Sequence, residues 1–111
     1  MKFRDQRAGQ LIRDELSKII AREIEINDAL MTITEVEVDK KLDTAKVRIS
    51  VLPAEKAKEV FDLLNKARAR LQIILFKKLN MRPTPRIQFE IDRGLENAAN
   101  VEKTLLGEDN K

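Results

Sequence analysis

The most informative part of the chain spans residues 65–92 and reads NKARARLQIILFKKLNMRPTPRIQFEID. It opens with basic residues at alternate positions, continues as an apolar segment, breaks at Arg82-Pro83-Thr84-Pro85-Arg86 and ends in an alternating pattern. Extended to Arg93, the stretch holds eight basic and two acidic residues, whereas the rest of the chain holds fourteen basic and seventeen acidic ones. The net charge of +3 therefore conceals a segment near +6 on a body near −3. This asymmetry favours an anionic partner, most simply nucleic acid.

The helical part of this stretch is predicted to be interrupted. No Gly or Pro occurs over residues 54–82, so propensity alone predicts a helix to about Asn80, roughly 40 Å long at 1.5 Å per residue. A compact domain of this length has a radius of gyration of only about 13 Å. We therefore predict a break between Asn65 and Arg70. Apolar residues surround much of the axis after the break, which predicts that the second helix is buried on more than one side.

The remaining elements follow from hydrophobic periodicity. Residues 5–26 have an apolar face with the period of a helix, which includes Ile19 and Ile20. Residues 31–39 and 44–52 are predicted to form an antiparallel hairpin. The alternation changes phase inside the first of these strands, which predicts a β-bulge near Thr34-Glu35. A helix is predicted to begin after Pro53, and residues 86–92 alternate as a third strand.

The predicted order of elements is α-β-β-α-α-β, which indicates an α+β domain. One three-stranded sheet with the helices packed on one face is the economical arrangement. We predict that this domain spans residues 1–94 and that residues 95–111 form a C-terminal tail, which could include a short helix. The open face of the sheet is expected to carry four polar side chains, namely Lys46, Arg48, Arg86 and Gln88.

The composition excludes several classes of function. The chain has neither Cys nor His, which removes disulfides, thiolate metal sites and the usual general base. No apolar run approaches the roughly 20 residues needed to span a bilayer, and the N-terminus lacks the apolar core of a signal peptide. Asp39 and Asp43 flank the hairpin turn and are interpreted as turn formers rather than magnesium ligands. We expect a cytoplasmic protein that is not an enzyme and holds no metal or cofactor.

Three segments together resemble the ribosome-binding factor A family. They are FRDQRAGQLIRDELSKIIAREI, TITEVEVDKKLDTAKVRISVL and LLNKARARL…LNMRPTPRIQFEID, in this order along most of the chain. The resemblance implies a type II K-homology-like fold and an assembly factor for the small ribosomal subunit that acts on 16S ribosomal RNA near its 5′ end. The family has an Ala-x-Gly kink between its last two helices. Here the position reads Ala67-Arg68-Ala69, so the glycine is replaced by alanine.

Charge and resemblance together select the candidate RNA-binding residues, which are Lys66, Arg68, Arg70, Lys77, Lys78, Arg82 and Arg86. A continuous helix would scatter the first three, because alternate positions are ~200° apart around the axis. A kink formed by Ala67 and Ala69 would gather them. The expected partners are 16S ribosomal RNA and the free small subunit, with the protein as a monomer.

Two other classes of function are compatible with parts of the sequence. A protein-interaction module would use the basic face to bind an acidic protein partner. A small metal-dependent hydrolase is disfavoured by the missing His and Cys. Stacking of RNA bases is weakly supported, because Phe61, Phe76 and Phe89 all lie on apolar stripes and are interpreted as core residues.

Overall fold

The fold is seen in a computed structural model that describes residues 4–80 and 84–92. Its elements are α1 (Arg4–Glu23), β1 (Leu30–Val38), β2 (Thr44–Leu52), a 3-10 turn (Ala54–Lys56), α2 (Ala57–Lys66), α3 (Arg68–Leu79) and β3 (Arg86–Ile91). The predicted order α-β-β-α-α-β is confirmed, as are the hairpin and the third strand. The candidate residue Arg82 and the predicted tail over residues 95–111 lie outside the described residues.

The three strands form one sheet with the order β1-β2-β3, in which β1 and β2 are antiparallel and β2 and β3 are parallel. The register moves from Ile33 opposite Ile49 to Glu35 opposite Arg48, which leaves Thr34 as an extra residue. The predicted bulge is thus confirmed. The Thr34 hydroxyl donates a hydrogen bond of 2.7 Å to Asp92 Oδ2, just beyond the end of β3. The bulge therefore ties the two outer strands together across β2.

The hydrophobic core lies between one face of the sheet and the helices. Alternate residues of β2 and β3 are buried on that face, while their neighbours in sequence are more exposed. Ile19 and Ile20 lie on the buried side of α1, as predicted, and are 0% and 2% exposed. Burial of an aliphatic side chain of this size contributes about 1.5–3 kcal/mol. The helices and the sheet contribute fully buried side chains, among them Ile12, Leu16, Ile49, Leu64, Leu71, Leu75 and Ile87.

Helix α1 crosses β1 at a glycine. A Cβ atom at Gly9 would lie only 2.7 Å from the carbonyl oxygen of Val36, closer than any ordinary contact to a backbone atom. The absence of a side chain at Gly9 is therefore what allows the helix to approach the strand so closely. This contact positions α1, against which α3 then packs.

The predicted break between the last two helices is confirmed and lies at Ala67. This residue has φ −92° and ψ 1°, and its N–H donates hydrogen bonds of 3.2 Å to the carbonyl oxygens of both Leu63 and Leu64. Its own carbonyl accepts the first bond of the next helix, from Leu71 at 2.9 Å. Ala69 lies inside α3 and has no positive φ. The junction can therefore be built with alanine at residue 69, because this residue does not need a left-handed conformation.

The prediction that α3 is buried on more than one side is wrong. Leu71 and Leu75 are fully buried, but Ile73 is 56% and Phe76 is 48% exposed. The interpretation of Phe76 as a core residue is wrong for the same reason, whereas Phe89 is buried and Phe61 packs against the core. In the described part of the chain the helices form a single layer on the sheet, so the outer side of α3 has no further element to pack against.

Candidate nucleic-acid interface

Three predicted site residues lie at the junction of α2 and α3, but the break does not bring Arg68 and Arg70 to one side, because both follow it and stay ~200° apart around the axis of α3. Lys66 ends α2, and Arg68 and Arg70 lie in the first turn of α3. All three are exposed, whereas Ala67 between them is only 9% exposed. The buried methyl group of Ala67 therefore anchors the junction against the core, and the basic side chains are left facing solvent.

The electrostatics of this junction favour an anion. The N-terminal end of a helix carries a partial positive charge, which is normally complemented by an acidic residue or a capping side chain. The first turn of α3 contains no acidic residue, and no side chain of the described residues caps it. It carries two arginines instead. A bound phosphate would relieve this accumulation of positive charge.

The three cations are not equivalent. Nη2 of Arg70 donates a hydrogen bond of 3.2 Å to the backbone carbonyl oxygen of Glu23, and its Nε lies 3.9 Å from Glu23 Oε1. Arg70 thus contacts the C-terminal residue of α1, where carbonyl groups lack helical partners. Within the described ranges, Lys66 and Arg68 make no ion pair. Arg70 therefore has a structural role besides any role in binding, which its charge alone did not indicate.

The other end of α3 carries two more of the predicted residues. Lys77 and Lys78 lie exposed in the last turn, about 14 Å along the helix axis from Arg68 at 1.5 Å per residue. Cations near a helix C-terminus interact favourably with the helix dipole, so part of their role is helix stabilisation. Arg70 and Lys77 are seven residues apart and lie on the same side of the helix. The basic surface therefore extends from the junction along one side of α3.

Arg86 is not brought to this surface. It begins β3 and alternates with the buried Ile87, so its side chain projects from the open face of the sheet, opposite the helices. The prediction that Lys46, Arg48, Arg86 and Gln88 share this open face is confirmed by the strand register and the burial pattern. The site predicted from sequence thus divides into a helical part and a residue on the opposite side of the sheet.

The open face has its own electrostatic centre, at Arg48. Its guanidinium lies 2.7 Å from Glu35, 3.0 Å from Glu37 and 3.1 Å from Glu90. Hydrogen bonds to Glu35 and Glu90 raise the pKa of Arg48 above its ordinary value. These three carboxylates more than neutralise the central cation. The open face is therefore a poor site for phosphate, although the sequence places several basic residues there.

The hairpin turn is organised by a carboxylate, as predicted. Asp39 Oδ1 accepts hydrogen bonds from the backbone N–H groups of Asp43 at 2.7 Å and Thr44 at 3.2 Å. Among the described residues, the structure shows no group of three or more acidic side chains that could hold a metal ion.

None of the described helices combines the length and apolar character needed to cross a membrane.

Comparison with known proteins identifies the family. The family profile described as ribosome-binding factor A matches residues 4–105. The chain belongs to the ribosome-binding factor A family. It is 35% identical over 108 residues to ribosome-binding factor A of Caldanaerobacter subterraneus subsp. tengcongensis, with 95% of this chain and 88% of the relative covered. The match includes the α2–α3 junction and the third strand, which carry most of the predicted site.

Ribosome-binding factor A of Thermus thermophilus has the same fold. The crystal structure of the Thermus thermophilus protein superposes with a TM-score of 0.68 at 23% identity, over 81% of this chain and 98% of that one. A homology model of a Thermus thermophilus ribosome-binding factor A, fitted into a cryo-electron-microscopy map of its complex with 30S, superposes with a TM-score of 0.63 at 24% identity. It covers 76% of this chain and 90% of that one.

Proposed function

We propose that the protein is a non-enzymatic maturation factor of the small ribosomal subunit that docks on 16S ribosomal RNA through the α2–α3 junction. The observation that carries this proposal is the first turn of α3, where two exposed arginines meet the positive end of a helix and the turn itself contains no acidic residue. Membership of the family supports it, as does the fitting of the Thermus thermophilus relative into a 30S complex. A ribosomal partner implies action in the cytoplasm.

The proposed mechanism is electrostatic docking on phosphates. Lys66 and Arg68 are exposed, make no ion pair among the described residues and would meet the RNA backbone, and Arg70 and Lys77 extend the basic surface along α3. Binding releases condensed counterions from the RNA, so affinity falls with rising salt. The bound protein would hold one RNA arrangement until maturation proceeds. Lys78 is a further predicted contact at the end of α3. Arg82 stays a prediction, because it lies outside the described residues, and Arg86 is not part of this surface, because it lies on the open face of the sheet.

Charge reversal at the junction tests the proposal. The double variant Lys66→Glu and Arg68→Glu should lose association with the small subunit and retain the urea midpoint of the wild type, because exposed charges contribute little to stability. The matched control is Lys40→Glu with Lys41→Glu, which changes the net charge equally in the exposed hairpin turn. Loss of binding in the control as well would show that net charge, not the junction, governs association.

Salt dependence supplies a second readout. Each phosphate contact removed should reduce the log–log slope of affinity against salt by roughly 0.7–0.9. Neutral variants, Lys66→Met and Arg68→Met, are suited to this measurement because they retain weak binding. A slope that stays at the wild-type value would place the phosphate contacts elsewhere on the protein.

Naked RNA separates the proposal from an acidic protein partner. Charge reversal would abolish either interaction, so the wild-type protein is titrated with fragments of 16S ribosomal RNA at low salt. Binding to fragments supports RNA docking. If no fragment binds above background while the protein still sediments with intact small subunits, the partner is a ribosomal protein and the RNA proposal fails.

A further inference from the structure

Two apolar side chains on the outer side of α3 are left uncovered by the rest of the described chain. Ile73 is 56% and Phe76 is 48% exposed, and neither belongs to the core or to the partly buried residues packed against it. They are three residues apart, so they are neighbours on one side of the helix with Cβ atoms about 5–6 Å apart. A single exposed apolar residue is ordinary. An aromatic ring and an aliphatic side chain together form a small apolar surface.

Cations border this surface along one edge. Arg70 precedes Ile73 by three residues and Lys77 follows it by four, so each is about one helical turn away. Both are exposed, and Lys77 also follows Phe76 directly in sequence. The sequence of α3 contains four basic residues and no acidic one. This charge distribution would repel a basic protein or peptide and matches a phosphate backbone.

The other edge is fixed by a glutamine. The side-chain amide of Gln72, one turn before Phe76, donates a hydrogen bond of 3.0 Å to the carbonyl oxygen of Pro85. Its side-chain oxygen accepts one of 2.8 Å from the N–H of Ile87. Gln72 thus joins α3 to the start of β3. Phe76 therefore lies on a helix that is hydrogen-bonded to the sheet on this side. This attachment helps the Phe76 ring to keep one orientation.

We infer that Phe76 is a stacking platform for an unpaired base of the bound RNA. The ring is half exposed, as stacking requires, and the phosphates on either side of the base would meet Arg70 and Lys77. The inference rests on the proposed RNA docking and adds to it a preference for single-stranded over paired RNA. Phosphate contacts alone do not distinguish single-stranded from paired RNA, whereas a ring can stack only on a base that is splayed out.

The first experiment compares two RNA ligands with the same number of phosphates. One is a short unstructured oligoribonucleotide, and the other carries abasic positions in place of its bases. The wild type should prefer the complete RNA. Phe76→Ala should lose about 5- to 150-fold in affinity for the complete RNA, as expected for removal of one stacked base, and little for the abasic RNA. Its salt dependence should not change, since no charge is removed.

A spectroscopic variant reports on stacking directly. The chain contains no Trp and no Tyr, so Phe76→Trp introduces a single indole while it keeps an aromatic ring at the position. Its emission should be quenched by the unstructured oligoribonucleotide and much less by the abasic RNA. The matched control is Leu52→Trp at the end of β2, a position that is 64% exposed and has the parity of the open face of the sheet. Its emission should not respond.

The outcomes separate this inference from the proposed function. If wild type and Phe76→Ala bind the complete RNA equally while Lys66→Met with Arg68→Met binds weakly, stacking fails and RNA docking stands. If the wild type binds no RNA, both fail. If Phe76→Ala and Ile73→Ala reduce sedimentation with small subunits but leave RNA affinity unchanged, the surface contacts a ribosomal protein and the stacking inference is overturned.

Discussion

Arg70 Nη2 donates a hydrogen bond of 3.2 Å to the backbone carbonyl oxygen of Glu23, and this bond joins the first turn of α3 to the last residue of α1. The two residues are far apart in sequence. The contact fixes one of the basic side chains at the edge of the junction, while Lys66 and Arg68 remain free of ion pairs within the described residues. The candidate interface therefore contains both structural and unengaged cations.

Substitutions at Arg70 and Arg68 should differ in their effect on stability. Arg70→Met removes the bond to Glu23 and should lower the free energy of unfolding by about 1 kcal/mol, which is typical of one hydrogen bond. Arg68→Met, two residues earlier in the same turn of α3, should have almost no effect on the free energy of unfolding. Urea denaturation of the two variants makes the comparison. Equal midpoints would show that the contact with Glu23 contributes nothing to stability.

A second variant separates the two roles of Arg70. Arg70→Lys keeps the positive charge but loses the guanidinium that donates to the carbonyl oxygen. Affinity for RNA should then be largely retained while the urea midpoint falls. A loss of RNA affinity as large as that of Arg70→Met would mean that the guanidinium geometry, and not the charge, is used in binding.

Gly9→Ala should destabilise the protein, although the same change in an exposed helix interior is stabilising by roughly 0.5–1 kcal/mol. The new Cβ would lie 2.7 Å from the carbonyl oxygen of Val36, so α1 and β1 would have to move apart. Overpacking of this kind costs about 1–3 kcal/mol. Thermal and urea unfolding measure the effect, with the exposed Ser17→Ala on the same helix as the control. A gain in stability would contradict the close approach of α1 to β1.

Ala69→Gly should lower the free energy of unfolding by about 0.5–1 kcal/mol, because glycine in a helix costs conformational entropy. The side chain of Ala69 is exposed, so no packing is lost. Ala67→Gly should cost more, since it also removes a buried methyl group. Urea midpoints of both variants test the geometry of the junction. Higher stability of Ala69→Gly would indicate that residue 69 adopts a conformation that alanine disfavours.

Arg48→Met should lower the urea midpoint, because the carboxylates that the guanidinium pairs would then repel one another. In the wild type the pKa of Arg48 is raised, so its stabilising effect is present at all pH values below its ordinary pKa and is lost only in strong alkali. The loss of stability in the variant should therefore be equal at neutral and at mildly alkaline pH. Urea midpoints at both pH values, with Lys46→Met as control, test this. A loss that is smaller at mildly alkaline pH would contradict it.

The secondary structure and its order could be predicted from the sequence alone. Period-two and period-3.6 patterns locate the hairpin, the third strand and α1, and the change of phase in β1 locates the bulge at Thr34. The break in the last helical stretch follows from its length compared with the size of a small domain. These features are readable because each depends on local backbone geometry or on which face of one element is apolar. The charge asymmetry and the family resemblance are likewise properties of the sequence alone.

The availability of the cations and the exposure of the apolar residues depend on how the elements pack together. Helix packing brings Arg70 to Glu23, which is distant in sequence. The strand register likewise brings Arg48 to Glu35 and Glu90. Phe76 has the apolar side chain expected of a core residue, but it lies on a side of α3 that no described element covers. Periodicity identifies an apolar face, but what packs against that face depends on contacts between elements, because burial is a property of the assembled fold and not of one helix.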